Sequence, residues 1–131
     1  MKRLIIIRGL PGSGKTTLAK LICPQHCVSA DDFMVNEAGE YDFSFSRLAE
    51  CHDRCKSYVE GWMESDVLRI AVHNVFSSRQ HAQVYYDLAH KYGYEVFVVE
   101  AQNRFESEHD VPVETMLNMK MKWEPLYKEF K

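Results

Sequence analysis

The stretch GLPGSGKT, Gly9 to Thr16, restricts the possible folds of this chain more than any other segment. It fits the pattern G-x-x-x-x-G-K-[ST] in full. An apolar run with charged ends, RLIIIR at residues 3–8, stands before it, and a stretch with helical apolar spacing follows to residue 22. Strand, glycine turn and helix in that order make a concavity of backbone N–H groups, closed by the positive end of a helix dipole. Gly12 and Gly14 supply the bend, with Ser13 between them. Lys15 is spaced to reach β- and γ-phosphates as a point charge, the Thr16 hydroxyl to ligate Mg²⁺, and Thr17 to donate to an α-phosphate. The expected ligand is a nucleoside triphosphate with its magnesium. No guanine-reading N-K-x-D stretch occurs, so ATP is expected over GTP.

The rest of the chain alternates in the same manner. The sequence predicts strands at 3–8, 27–30, 67–72 and 94–101. Between them it predicts a helix over 15–22 with Leu18, Leu21 and Ile22 inward, and a long helix from Ser44 or Ser46 to about Ser65. A third helix follows HNVFSS, with Ala82, Val84, Tyr85, Leu88, Ala89 and Tyr92 on its apolar side and Gly93 as its C-cap. Asp110 and Pro112 open a last helix to about Trp123, closed by Pro125. Residues 31–43 read as a polar loop turning at Gly39. The β-α-β-α-β-α-β-α order predicts a three-layer α/β/α P-loop NTPase fold, with a mostly parallel sheet of about four to five strands. Ligands should bind at the carboxyl ends of the strands. The glycine loop, SADD, HNVFSS and EAQNRF all leave strands there.

Bulk properties narrow the partners. With 131 residues, the chain is expected to form a single domain over 1–131. A net charge of -3 gives no basic excess for gripping duplex DNA. No apolar stretch is long enough to span a membrane, and a cytoplasmic location is expected. The four cysteines, Cys23, Cys27, Cys51 and Cys55, are expected as free thiols, and Cys51 and Cys55 as buried residues one helical turn apart.

Phosphoryl transfer also requires a group to position the nucleophile. Asp31 and Asp32 follow the second strand, where a carboxylate near the γ-phosphate can take the proton of an attacking hydroxyl or bind Mg²⁺ through water. Asp31 is the preferred base; one of the pair can instead serve as a cap. His73 and Asn74, after the third strand, are candidates to meet substrate or to hold Asp31, and both residue types also serve buried structural roles. In the last helix Met116, Met119 and Trp123 are expected to pack inward, leaving Lys120 and Lys122 solvated.

In RGLPGSGKTTLAK, SADDFM, AVHNVF, YGYEV and NRFESEHDVPVETMLNMKMKWE, taken in order, the chain resembles the polynucleotide-kinase-like branch of P-loop kinases, which includes ATP-binding kinases of phages and bacteria. The resemblance implies that Asp31 is the general base. It also implies that Arg104 and its neighbours form a lid stabilising charge on the phosphates, with His109 as a lid contact. Two positions depart from the family pattern. Met34 stands where the polynucleotide kinase has an arginine, and His73-Asn74-Val75 where the family has an acidic start such as Asp-Thr-Asn. The expected function is transfer of the γ-phosphoryl of ATP to a hydroxyl, on a polynucleotide 5' end or a small metabolite. The alternative is a nucleotide-binding regulatory module with little transfer.

Overall fold

The computed structural model describes residues 1–101 and 123–124 of the chain. Its sheet has four strands, β1 (Arg3–Arg8), β2 (Cys27–Val28), β3 (Arg69–Asn74) and β4 (Glu95–Glu100), in the order β2-β3-β1-β4. Every pairing is parallel, so each connection must cross over, and a helix lies in each: α1 (Lys15–Ile22), α2 (Leu48–Glu64) and α3 (Arg79–Tyr92). β1 is central and its residues point alternately to two apolar layers. Leu4 and Ile6 join Val59 and Met63 of α2 and Leu88 and Ala89 of α3 on one face. Ile5 and Ile7 join Ala71 and Ala19 of α1 on the other. A strand covered on both faces must be apolar throughout, hence RLIIIR. The architecture is the expected α/β sandwich with a parallel sheet.

Several boundaries differ from the sequence expectation. β3 begins and ends two residues later than 67–72, so His73 and Asn74 are its last residues and are buried. Its partner sets its limits: β3 pairs with β1 along the full length, from Arg3↔Arg69 to Arg8↔Asn74. The residues before it are taken up by the exit from α2, where Val67 N–H donates to the Trp62 carbonyl and Asp66 adopts φ 58°. β2 stops at Val28, short of residue 30, because Ser29 and Asp32 cap a 3-10 turn, Ala30–Phe33. The 31–43 loop therefore starts in that turn, and near Gly39 it carries an antiparallel bridge between Val35 and Tyr41.

In α1 the inward residues are Leu18, Ala19 and Ile22, whereas Leu21 is 76% exposed. At 100° per residue Leu21 lies about 105° from the centre of that stripe. A 3-10 turn (Phe45–Arg47) precedes α2; the Ser44 and Ser46 hydroxyls bond each other at 2.8 Å and cap nothing. Leu48 is consequently exposed, while Cys51 and Cys55 are fully buried as expected. Ser78 caps α3 by accepting from His81 N–H, and Gly93 ends it at φ 75°. Val84 lies exposed on α3 and Tyr86 is buried. The 110–123 helix falls outside the described residues up to Trp123.

Candidate nucleotide-binding site

The loop between β1 and α1 has the backbone that its glycines permit. Gly12 and Gly14 sit at φ 81° and 91°, in the left-handed region that side chains resist. Gly14 is the N-cap of α1, whose first turn carries no acid, so the helix's positive end meets no carboxylate of its own. The Ser13 N–H closes a turn on the Leu10 carbonyl at 3.0 Å. The buried Ser13 hydroxyl has no hydrogen-bond partner among the described residues. Gly9 leaves no room for a side chain: a Cβ there would lie 2.3 Å from Ser13 Oγ and 2.8 Å from the Ala101 carbonyl oxygen.

Lys15 Nζ donates to the Leu10 carbonyl at 3.1 Å, so the amine is turned onto its own loop. Burial pulls its pKa down to about 8, and the nearby Asp31 partly opposes this. Thr16 Oγ1 lies 3.5 Å from Nδ1 of His73, at the end of β3. Thr17 is exposed at the loop's mouth. Burial also lowers the pKa of His73; Asp32 and Asp31 oppose the shift while Lys15 reinforces it, so the neutral imidazole is favoured.

The segment after β2 supplies the carboxylates. Asp31 and Asp32 are both exposed in the 3-10 turn. Asp32 accepts from Ser29 N–H at 2.9 Å within a capping box, which gives it a structural role. Asp31 extends from the same turn, and its charge acts on Lys15, His73, Tyr41 and His52. Asn74 accepts from Ala30 N–H at 2.8 Å and directs its amide to Cys55 Sγ at 3.8 Å. It thus fixes the residue before Asp31 to the end of β3. Gly12 to Thr17, Asp31, Asp32, His73 and Asn74 all meet at one rim of the sheet. Arg104 and His109 lie outside the described residues.

Three features escaped the sequence reading. Arg8 is 2% exposed and holds the rim together. Its guanidinium donates to the Phe76 carbonyl at 2.7 and 3.2 Å and to the Glu124 carbonyl at 2.7 Å. It pairs with Glu100 at 3.4 Å and lies 3.9 Å over the Trp123 ring. Phe76, buried at φ 51°, stacks edge-on against Tyr85. Tyr41 and His52 complete the surroundings of Asp31. Burial pushes the Tyr41 hydroxyl up to about 12. Burial and His81 depress His52. The parallel run of α2 and α3 brings these histidines together: Cys55 Sγ and Tyr85 Oη are 3.4 Å apart, and His52 and His81 each lie one turn nearer the rim. A sequence pattern gives that alignment only once the strand order is known.

An N–H cradle, one lysine, a hydroxyl beside an imidazole and a facing carboxylate suit a polyphosphate and an attacking hydroxyl. Comparison with known proteins agrees on the fold. No family model matches the chain. It is 33% identical over 104 residues to the 2',3'-cyclic-nucleotide 3'-phosphodiesterase of Mus musculus, covering 76% of this chain and 24% of that protein. The chain thus spans about a quarter of that relative's length. Among solved structures, the Pnkp1/Rnl/Hen1 complex aligns with 99% of this chain and 43% of its own at TM-score 0.61 and 20% identity. The APS kinase CysC of Mycobacterium tuberculosis, in complex with AMPPNP and APS, aligns with 89% of this chain and 67% of its own at TM-score 0.56 and 17% identity. These likenesses show the P-loop NTPase fold.

Proposed function

We propose that this chain acts as one P-loop kinase domain, transferring the γ-phosphoryl of ATP to a hydroxyl of a polynucleotide 5' end or a small metabolite. The observation that carries the reading is the meeting of the left-handed glycine loop, Lys15 and Asp31 at one rim of the sheet. A phosphate entering the loop offers Lys15 a stronger acceptor than the Leu10 carbonyl. The N–H groups up to Thr16 then fix the β- and γ-phosphates, and Thr17 borders the α-phosphate. Asp31 takes the proton of the acceptor hydroxyl as it attacks in line. Asn74 and the Ser29–Asp32 capping box hold Asp31 in place. Thr16 would hold the divalent cation of the nucleotide complex, with Asp31 reaching it through water; a hydroxyl at the helix start and a carboxylate at the same rim suit a divalent ion. When bound, the cation neutralises charge on the β- and γ-oxygens. Arg104 and His109 are assigned to the lid by resemblance.

The names of similar proteins support this reading. The APS kinase binds a nucleotide analogue together with its acceptor, and the cyclic-nucleotide phosphodiesterase acts on a nucleotide. Among the described residues no helix is long and apolar enough to cross a membrane. A second reading, a nucleotide-binding module with little transfer, draws on one observation: the last strand-end positions of β3 hold His73 and Asn74 and no acid. The Asp31→Asn variant separates the two. As a kinase, it should bind ATP with near-normal affinity and lose at least 10²-fold in transfer, as for a general base. Unchanged transfer from labelled ATP would remove Asp31 from its role. Tight ATP binding with no product across polynucleotide, nucleoside and sugar acceptors would favour the module.

A further inference from the structure

The contact between Thr16 and His73 bears on which cation the site takes. His73 lies two residues beyond Ala71 on β3, on the face that packs against Ala19 of α1. Its imidazole therefore faces the first turn of α1 and is 4% exposed. Nδ1 comes to 3.5 Å from Thr16 Oγ1. Two neighbouring ligands of an octahedral ion, each about 2.1 Å from the metal, stand about 3 Å apart. The two atoms are within a small side-chain rotation of that spacing. Lys20 and Lys15 are the cations acting on His73, and Asp31 and Asp32 the anions.

Mg²⁺ favours carboxylates, phosphates and water, whereas imidazole suits first-row transition ions. The strand end beside Thr16 offers a nitrogen where magnesium would meet a carboxylate. We propose that His73 Nδ1 and Thr16 Oγ1 together ligate the nucleotide-bound divalent cation, and that the nitrogen donor selects a transition ion of the cobalt class over magnesium. This rests on the nucleotide-binding reading above. Phosphate oxygens and water complete the coordination. The ligating tautomer carries its proton on Nε2.

The test uses calorimetric titration of the full chain with a non-hydrolysable ATP analogue, in Mg²⁺ alone and in Co²⁺ alone. The wild-type chain should bind the cobalt complex more tightly, and His73→Asp should lower the cobalt-to-magnesium affinity ratio roughly tenfold, the scale of altered metal-site partners. Proton NMR of the cobalt–nucleotide complex should show an exchangeable imidazole N–H resonance far outside the diamagnetic range, absent in His73→Gln. The same ratio in wild type and His73→Asp, or no shifted resonance in the wild-type complex, overturns the proposal. Should His73→Asp fail to fold, the wild-type spectrum decides alone. If the analogue binds with neither cation, the nucleotide reading falls as well; binding with unaltered preference defeats only the assignment of His73.

Discussion

Arg8 makes the strongest claim at the scale of single residues. It is a buried cation whose partners lie on the β3–α3 loop, the end of β4 and Glu124. Removing the guanidinium leaves the buried Phe76 carbonyl without its two donors. Arg8→Met is expected to cost roughly 3 kcal/mol, read as a lower urea midpoint, and Arg8→Lys should not rescue it because one ammonium cannot replace the planar fork. Gly9 makes a claim of another kind. In Gly9→Ala the new methyl meets Ser13 and the Ala101 carbonyl, so the loop must shift. Nucleotide affinity measured by calorimetry should fall at least tenfold, with about 1–3 kcal/mol of stability lost to overpacking. The two positions also show what a sequence discloses. Gly9 is one letter of a local motif whose geometry is complete within eight residues. Arg8, one residue earlier, looks like the solvated end of a strand, because its partners lie as far as 116 positions away.

Among the elements, α1 and the loop before it were legible because turn chemistry and helix spacing are local. The end of β3 was not: its limits are set by pairing with β1, a tertiary fact, so His73 and Asn74 read as loop. β2 was overestimated for the opposite reason, since the local capping of Ser29 by Asp32 overrides strand propensity. α2 gives a direct test of the apolar face the sequence predicted. Cys51 and Cys55 are fully buried, Cys23 is buried with its Sγ donating to the Arg69 carbonyl at 3.1 Å, and Cys27 is partly open. Burial raises the pKa of the Cys27 thiol too, with Cys23 and Asp32 adding to the effect. Maleimide labelling of the native chain, followed by peptide mass spectrometry, should modify Cys27 first and more slowly than a free cysteine. Cys51 and Cys55 should react only after denaturation.

For the molecule as a whole, α/β class and parallel sheet could be read from the alternation of elements, because covered strands and crossover helices leave a periodic record. The surroundings of Asp31 could not, since Tyr41, His52 and His81 come from three segments that only the strand order aligns. The buried acids of the core also predict how stability varies with pH. Burial pushes the Cys55 thiol up to about 11, from an ordinary value of 9.0, and Tyr85 well above its ordinary range. Both are neutral in the fold and ionise more readily when unfolded. Their contribution is complete below about pH 8.5 and is lost as pH rises toward the folded values. Lys15, depressed to about 8, acts the other way and adds stability as pH rises toward its unfolded value. The stability difference between the wild-type chain and Cys55→Ala, from urea unfolding, should therefore be flat from pH 7 to 8.5 and decline steadily to pH 11. Cys55 alone would account for roughly 2–3 kcal/mol of that decline.

The central place of β1 also has a consequence in time. Leu4 pairs with Ile70 on one side and Val96 on the other. A ribosome delivers the whole GLPGSGKT motif before any strand that can flank it. The second flank comes only when β4 emerges, and such distant pairings close slowly. The glycine loop is thus made well before the strands that must flank it, so a nascent chain carries the motif long before its surroundings are in place.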